Sequence, residues 1–170
     1  MERPGAVTLK GNPMTLVGEA VNVGDPAPDF RCVDTKLQPV TLAATGSSIR
    51  LFSVVPSLDT PVCDMQTKRF NDEAAKLEGI DIYSVSTDLP FAESRYVNTF
   101  GTDDIRMISD HLDTSFGKAY GVLVRELRIL ARSIFVVDRE NVVRYAEYVK
   151  EITDHPDYDA ALSKAKELAG

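Results

Sequence analysis

Two kinds of apolar pattern alternate along the chain. Short, nearly continuous apolar runs at Ile49 to Val55, Asp81 to Ser86, Met107 to Ser109 and Ser133 to Val137 predict strands, the first of them buried at the centre of a sheet. Other segments carry apolar residues at helical spacing. In Pro61 to Leu77, residues Val62, Met65, Phe70, Ala74 and Leu77 fall near one face. Thr60 is a natural N-cap there, Pro61 a natural first helical residue and Gly79 a stop. Pro90 to Phe100, Thr114 to Tyr120 and Asp157 to Leu168 predict three more helices. Ala6 to Leu9 and Met14 to Val17 flank Lys10-Gly-Asn-Pro13 and read as a hairpin. Phe30 to Val33 and Val40 to Leu42 read as short strands, and Val142 to Val149 follows Ser133 to Val137 through a turn at Asp138 to Asn141. Strands alternating with helices predict an α/β sandwich, and the late strand pair makes its sheet mixed. The ligand crevice of an open α/β sheet lies beyond the carboxyl ends of its strands.

Composition narrows the class. A chain of 170 residues with 44% hydrophobic positions has the material for one domain with a substantial core, so a single domain over 1–170 is expected, with 1–20 as a hairpin extension. There are no repeats, low-complexity tracts or long linkers. A net charge of −7 argues against nucleic acid as a partner, because that affinity comes mostly from Lys and Arg on phosphates. No apolar run approaches the roughly 18 residues that span a bilayer, so no membrane association is expected. Met1 to Lys10 lacks a basic n-region and an apolar h-region, which removes a secretion signal and points to the cytoplasm. Two cysteines, Cys32 and Cys63, make neither a disulfide framework nor a four-cysteine zinc site. No metal and no cofactor is called for, and a reactive thiol is the better reading in a reducing compartment.

The chemistry concentrates at Pro56-Ser-Leu-Asp-Thr60-Pro61-Val-Cys63, where a strand gives way to a helix. Cys63 sits in the first turn of that helix, among unpaired N–H groups and the positive end of the helix dipole. That setting favours a thiolate.

The pattern Pro-x-x-x-Thr-x-x-Cys at Pro56, Thr60 and Cys63 resembles the active-site signature of the peroxiredoxins. The longer Pro56-to-Cys63 stretch with Phe70-Asn71, the opening Lys10-Gly-Asn-Pro-Met-Thr-Leu16, Ser86-Thr-Asp-Leu-Pro-Phe-Ala92 and Glu151-Ile-Thr153 resemble the thiol peroxidase subfamily over almost the whole chain. The resemblance implies a thioredoxin-like fold, a central mixed sheet flanked by helices, with an N-terminal β-hairpin. It implies a peroxidase that reduces hydrogen peroxide and organic hydroperoxides, takes electrons from thioredoxin or another thiol, and forms a homodimer. Cys63 would be the peroxidatic cysteine, with Thr60, Pro56 and a matching arginine, Arg132, completing the site. A permanent cation favours a negative sulfur, a hydroxyl can bond both sulfur and peroxide oxygen, and proline can shield the sulfur from water. Arg132 begins a strand among Ile129, Leu130 and Ile134, a setting that turns it into a cleft. Arg125 and Arg128 fit plain surface charge; Asp59 and Asp64 would oppose a thiolate and are expected to point outward.

One departure matters. The subfamily's second, resolving cysteine would stand after Phe91-Ala-Glu-Ser-Arg-Tyr96, where this chain has Val97. Three explanations stand: a one-cysteine cycle reduced by an outside thiol, resolution by Cys32, or an engineered valine. For Cys32 the alternative is a small buried hydrophobe. Phe52, Phe91, Phe116 and Tyr120 read as core or dimer contacts. Two rival functions are a peroxide-sensing redox switch with little turnover and a cysteine hydrolase using His111 or His155, neither of which has a motif around it.

Overall fold

A computed structural model describes residues 1–170 and contains two sheets and four helices. A seven-stranded mixed sheet has the order β11-β10-β5-β6-β7-β3-β4, built from β3 (Arg31–Asp34), β4 (Pro39–Thr41), β5 (Ile49–Val54), β6 (Ile80–Ser86), β7 (Arg106–Ser109), β10 (Ser133–Val137) and β11 (Val143–Tyr148). Its centre, β5-β6-β7, is parallel, while β10 runs antiparallel to β5. The second sheet is a four-stranded antiparallel one, order β1-β2-β8-β9, from β1 (Glu2–Leu9), β2 (Asn12–Val17), β8 (Leu123–Val124) and β9 (Ile129–Leu130).

Strand alternation sorts the core into two clusters on opposite faces of the large sheet. On β5, Ile49, Leu51 and the following Val55 face one way; Phe52 and Val54 face the other. The first face is covered by α1 (Pro61–Ala74), α2 (Pro90–Phe100) and α4 (Tyr158–Ala169), through Phe70, Tyr96 and Leu162 among others. The second face is covered by α3 (Ser115–Ala119) and the small sheet, through Phe116, Tyr120, Val7 and Leu16. The hairpin crosses α3 closely at Gly18, where a Cβ would overlap the Lys118 carbonyl oxygen and φ is +97°.

The predicted strands and helices are present, with differences that have physical causes. Helix α1 ends at Ala74 rather than Leu77, and Gly79 (φ +74°) serves the turn into β6 instead of stopping the helix. Its buried face is Cys63, Gln66, Thr67, Phe70 and Asn71, whereas Met65 is 54% exposed. Polar residues hold that face because each is bonded: Thr67 Oγ1 donates to the Cys63 carbonyl (2.8 Å), and Asn71 Oδ1 accepts from the amides of Asp104 (2.9 Å) and Ile105 (3.2 Å). Two-residue β8 and β9 are too short for a sequence pattern; β8 arises from pairing with β2 of the hairpin, and β9 from pairing with β8. No helix is long and apolar enough to cross a membrane.

Replacing Asn71 by alanine strands those two amides, and Ile105 is buried. We expect Asn71→Ala to lose about 1–3 kcal/mol of stability, read from the urea midpoint at unchanged slope.

Candidate active site

The carboxyl end of β5 leads through Val55 and Pro56 into α1. Because β10 lies antiparallel beside β5, with Ser133 opposite Val54, the residue before β10 arrives at the same end of the sheet. That residue is Arg132. It is 2% exposed, Cys63 has no exposed surface, and Arg132 Nη2 stands 3.4 Å from Cys63 Sγ. The remaining guanidinium donors go to neutral acceptors: Nη1 to Gln66 Oε1 (2.8 Å) and Nε to the Ile152 carbonyl (2.8 Å). Gln66 is itself fixed by donating to Ser53 Oγ (2.7 Å). No carboxylate bridges Arg132, so Cys63 is the one ionisable group among its hydrogen-bond partners. Removing an ion from water costs several kcal/mol, and a neighbouring cation favours the charged form of an acid.

Beside this pair lies a cavity of about 560 Å³, lined by Pro56, Thr60, Arg132 and Ile129, and by Leu9 and Ile152 from two other segments. Its wall is almost entirely carbon. Thr60 stands at the N-cap position of α1, but its hydroxyl donates to the Ser57 carbonyl (3.2 Å) and caps nothing. Pro56 is buried and Thr60 exposed.

The loop before α1 is tied to the end of β6 by Asp88. Its carboxylate accepts from Ser57 Oγ (2.9 Å), the Leu58 amide (2.8 Å) and Ser86 Oγ (2.9 Å). Behind it lies Glu93, fully buried, with Oε2 3.4 Å from Ser86 Oγ and Oε1 unpaired. Asp59 is exposed as expected, but Asp64 is not free: it accepts from the Tyr96 hydroxyl (2.6 Å) and Lys68 Nζ (2.9 Å). Partial burial pushes Asp64 up, and those two bonds more than offset it, holding the carboxyl below its ordinary range.

Cys32 does not approach this site. It lies on β3 in the cluster on the other face of the sheet, 2% exposed, with Sγ 3.5 Å from Asp110 Oδ1. Burial, and next the Asp110 charge, raise its thiol far above the ordinary range, so it is a poor thiolate. Val97 packs against the Cys63 cluster and lines a separate cavity of about 420 Å³ with Tyr83, Ile105 and Arg106. Arg125 and Arg128 are exposed. Phe52, Phe116 and Tyr120 are core, whereas Phe91 is 67% exposed. No histidine bonds Cys63; His155 Nδ1 pairs with the Tyr158 hydroxyl (2.7 Å). Sequence reasoning missed Gln66 and the Ile152 carbonyl. The available signal for Gln66 was its place three residues after Cys63, one turn along the same face.

A family model described as Redoxin matches residues 22–162, and the chain belongs to that family. The thiol peroxidases of Halalkalibacterium halodurans and Bacillus subtilis are 53% and 51% identical over 95% of this chain and 97% of theirs. A peroxiredoxin-like protein from Aquifex aeolicus shares the fold at a TM-score of 0.90 and 42% identity, over 96% of this chain and 97% of that one. A thiol peroxidase from Chromobacterium violaceum, at 0.85 and 23% identity over 95% of both chains, speaks for the thioredoxin-like fold alone. Within the redoxins this is a peroxiredoxin of the thiol peroxidase subfamily, and its activity is that of a thiol-dependent peroxidase.

Burial, and next the Asp88 charge, raise the Glu93 carboxyl well above its unfolded value of 4.5. Glu93 therefore stays protonated in the fold where the unfolded chain has lost that proton. Its contribution to stability falls as pH rises above the unfolded value, until the folded value is passed. Glu93→Gln should flatten this part of the profile, so the variant's urea midpoint should shift upward relative to the parent's as pH rises above the unfolded value of 4.5.

Proposed function

We propose that Cys63 is the peroxidatic cysteine and that Arg132, Thr60 and Pro56 form its site with it. The observation that carries this reading is the buried Arg132 guanidinium, which touches the Cys63 sulfur and no carboxylate. The Cys63 thiolate attacks one oxygen of a hydroperoxide. An S–O bond forms, the O–O bond breaks, and the leaving alkoxide or hydroxide takes a proton to depart as alcohol or water. Sulfur is oxidised to sulfenic acid and the peroxide is reduced. Arg132 stabilises the attacking sulfur and the charge that develops along the breaking bond. The Thr60 hydroxyl turns to the incoming peroxide, and Pro56, lacking an N–H, screens the sulfur from water. The carbon-walled cavity suits organic hydroperoxides as well as hydrogen peroxide.

The cycle we propose uses one cysteine of this chain. Val97 carries no thiol, and Cys32 lies across the sheet from Cys63 with its own thiol form stabilised. An outside dithiol of the thioredoxin type then completes turnover. Its first thiol attacks the sulfenic sulfur, releasing water and leaving a mixed disulfide; its second displaces Cys63 as a thiol and leaves oxidised as a disulfide. A cytoplasmic homodimer is part of the same reading, the exposed Phe91 and Leu89 supplying apolar surface for a second copy.

Peroxide consumption coupled to thioredoxin, its reductase and NADPH tests this reading. Cys63→Ser should abolish turnover. Arg132→Met should lower kcat/KM by about 10²–10³-fold, the scale for loss of one preorganised donor; a parent-like rate would remove Arg132 from the site. After one equivalent of peroxide, intact-mass and peptide analysis should find Cys63 oxidised and unlinked. Cys32→Ser should keep turning over, and a Cys32–Cys63 linkage would refute the one-cysteine cycle.

A further inference from the structure

The N-terminal hairpin makes no bond to Cys63 or Arg132, yet its tip stands at the cavity that Arg132 lines. Leu9 and Lys10 line the cavity together with Ile152 and Thr153. The tip is a tight turn in which Lys10 (φ +50°) and Gly11 (φ +82°) both take positive φ, so their amides point out of the hairpin side by side. Both donate to one carboxylate, that of Glu151: Lys10 N to Oε2 at 3.1 Å and Gly11 N to Oε1 at 2.8 Å. Thr8 Oγ1 also donates to Oε1 (2.9 Å). From the other side, the Thr153 amide and hydroxyl donate to Oε2 at 2.9 and 2.8 Å. Main-chain bonds flank the clamp, from Thr8 N to the Lys150 carbonyl and from Ile152 N to the Thr8 carbonyl, each 2.8 Å. Those bonds hold the strand at Thr8 but stop short of the tip, so Glu151 alone links Lys10 and Gly11 to the 151–153 segment.

We infer that Glu151 is a positioning residue that sets the preference of the site among hydroperoxides: by clamping the Lys10–Gly11 turn to Thr153, it holds Leu9 and Lys10 as a cavity wall against which the organic part of a substrate packs. The inference rests on the assignment of Cys63 and Arg132 above. Hydrogen peroxide has no organic part and uses only the reacting end of the site. A bulky hydroperoxide such as cumene hydroperoxide also uses the wall, and binding energy from that remote contact is available to the reaction. With five donors converging on it, the Glu151 carboxyl is held down to about 2, so the clamp is charged at every working pH.

The test measures kcat/KM for cumene hydroperoxide and for hydrogen peroxide on the full chain, in the thioredoxin-coupled assay, and compares the ratio. In Glu151→Ala the cumene-to-hydrogen-peroxide ratio should fall about tenfold, mainly through KM for the cumene substrate, the scale of a lost apolar contact. Glu151→Gln, which keeps one acceptor oxygen, should fall between that variant and the parent. Leu9→Ala cuts the wall directly and should lower the ratio by a similar factor. Combined with Glu151→Ala it should add little, because both remove the same contact. A ratio within about twofold of the parent in Glu151→Ala and Glu151→Gln overturns the inference, whether both rates fall together or neither changes. Should Glu151→Ala fail to fold, an unchanged ratio in Leu9→Ala and Glu151→Gln overturns it equally. A parent that turned over neither peroxide would instead refute the assignment of the site.

Discussion

A guanidinium buried without a carboxylate is the constraint around which this molecule is arranged. Arg132 is 2% exposed and fixed by two neutral oxygens and one sulfur. Taking its charge from water is expensive, and only well-placed acceptors make it tolerable. They come from separate parts of the chain: Gln66 and Cys63 from α1, and the Ile152 carbonyl from the segment after β11. The chain holds a second fully buried arginine, Arg50 on β5, whose donors reach Thr45 Oγ1, the Gly46 carbonyl (2.7 Å) and the Asp138 carbonyl. Arg50 meets no ionisable sulfur, and its role ends with joining the sheet to its flanking turns. The two buried arginines differ in what completes the shell, a sulfur for Arg132 and only oxygens for Arg50.

The sheet topology makes that shell possible. With β10 antiparallel to β5, the start of one strand and the end of the other coincide, so an arginine and a cysteine 69 positions apart meet where the parallel strands end. Helix α1 then presents a mixed buried face. Phe70 packs into the core, while Gln66, Thr67 and Asn71 are buried only because each has a partner. The same face therefore serves packing and chemistry.

Separating the two thiols across the sheet has a redox consequence. Cys32 belongs to the core cluster on the face covered by α3 and the small sheet, and Cys63 to the cluster on the face covered by α1, α2 and α4. Joining them would mean taking one through the sheet. With valine at position 97, no third thiol stands on either face, and the two that exist are free and buried apart.

Much of this was legible in the residues themselves. Continuous apolar runs marked β5, β6 and β10, Thr60-Pro61 marked where α1 begins, and the Pro56-to-Cys63 stretch marked the strand-to-helix junction that carries the proposed site, because strands, helix starts and turns are set by local sterics and spacing. Local patterns could not show that Met65 faces solvent while Gln66 and Asn71 face the core, since a buried amide is read as surface unless its partner is known. Nor could they show β8 and β9, two residues each: β8 joins the sheet by pairing with distant β2, and β9 follows by pairing with β8. The sequence by itself determined which elements form and which sulfur stands at a helix start. Tertiary structure decided which cation faces that sulfur, which thiol is kept from it, and which carboxylate bonds the hairpin tip. These are contacts between positions distant in the chain, and pairwise proximity of that kind is created only when the sheet closes.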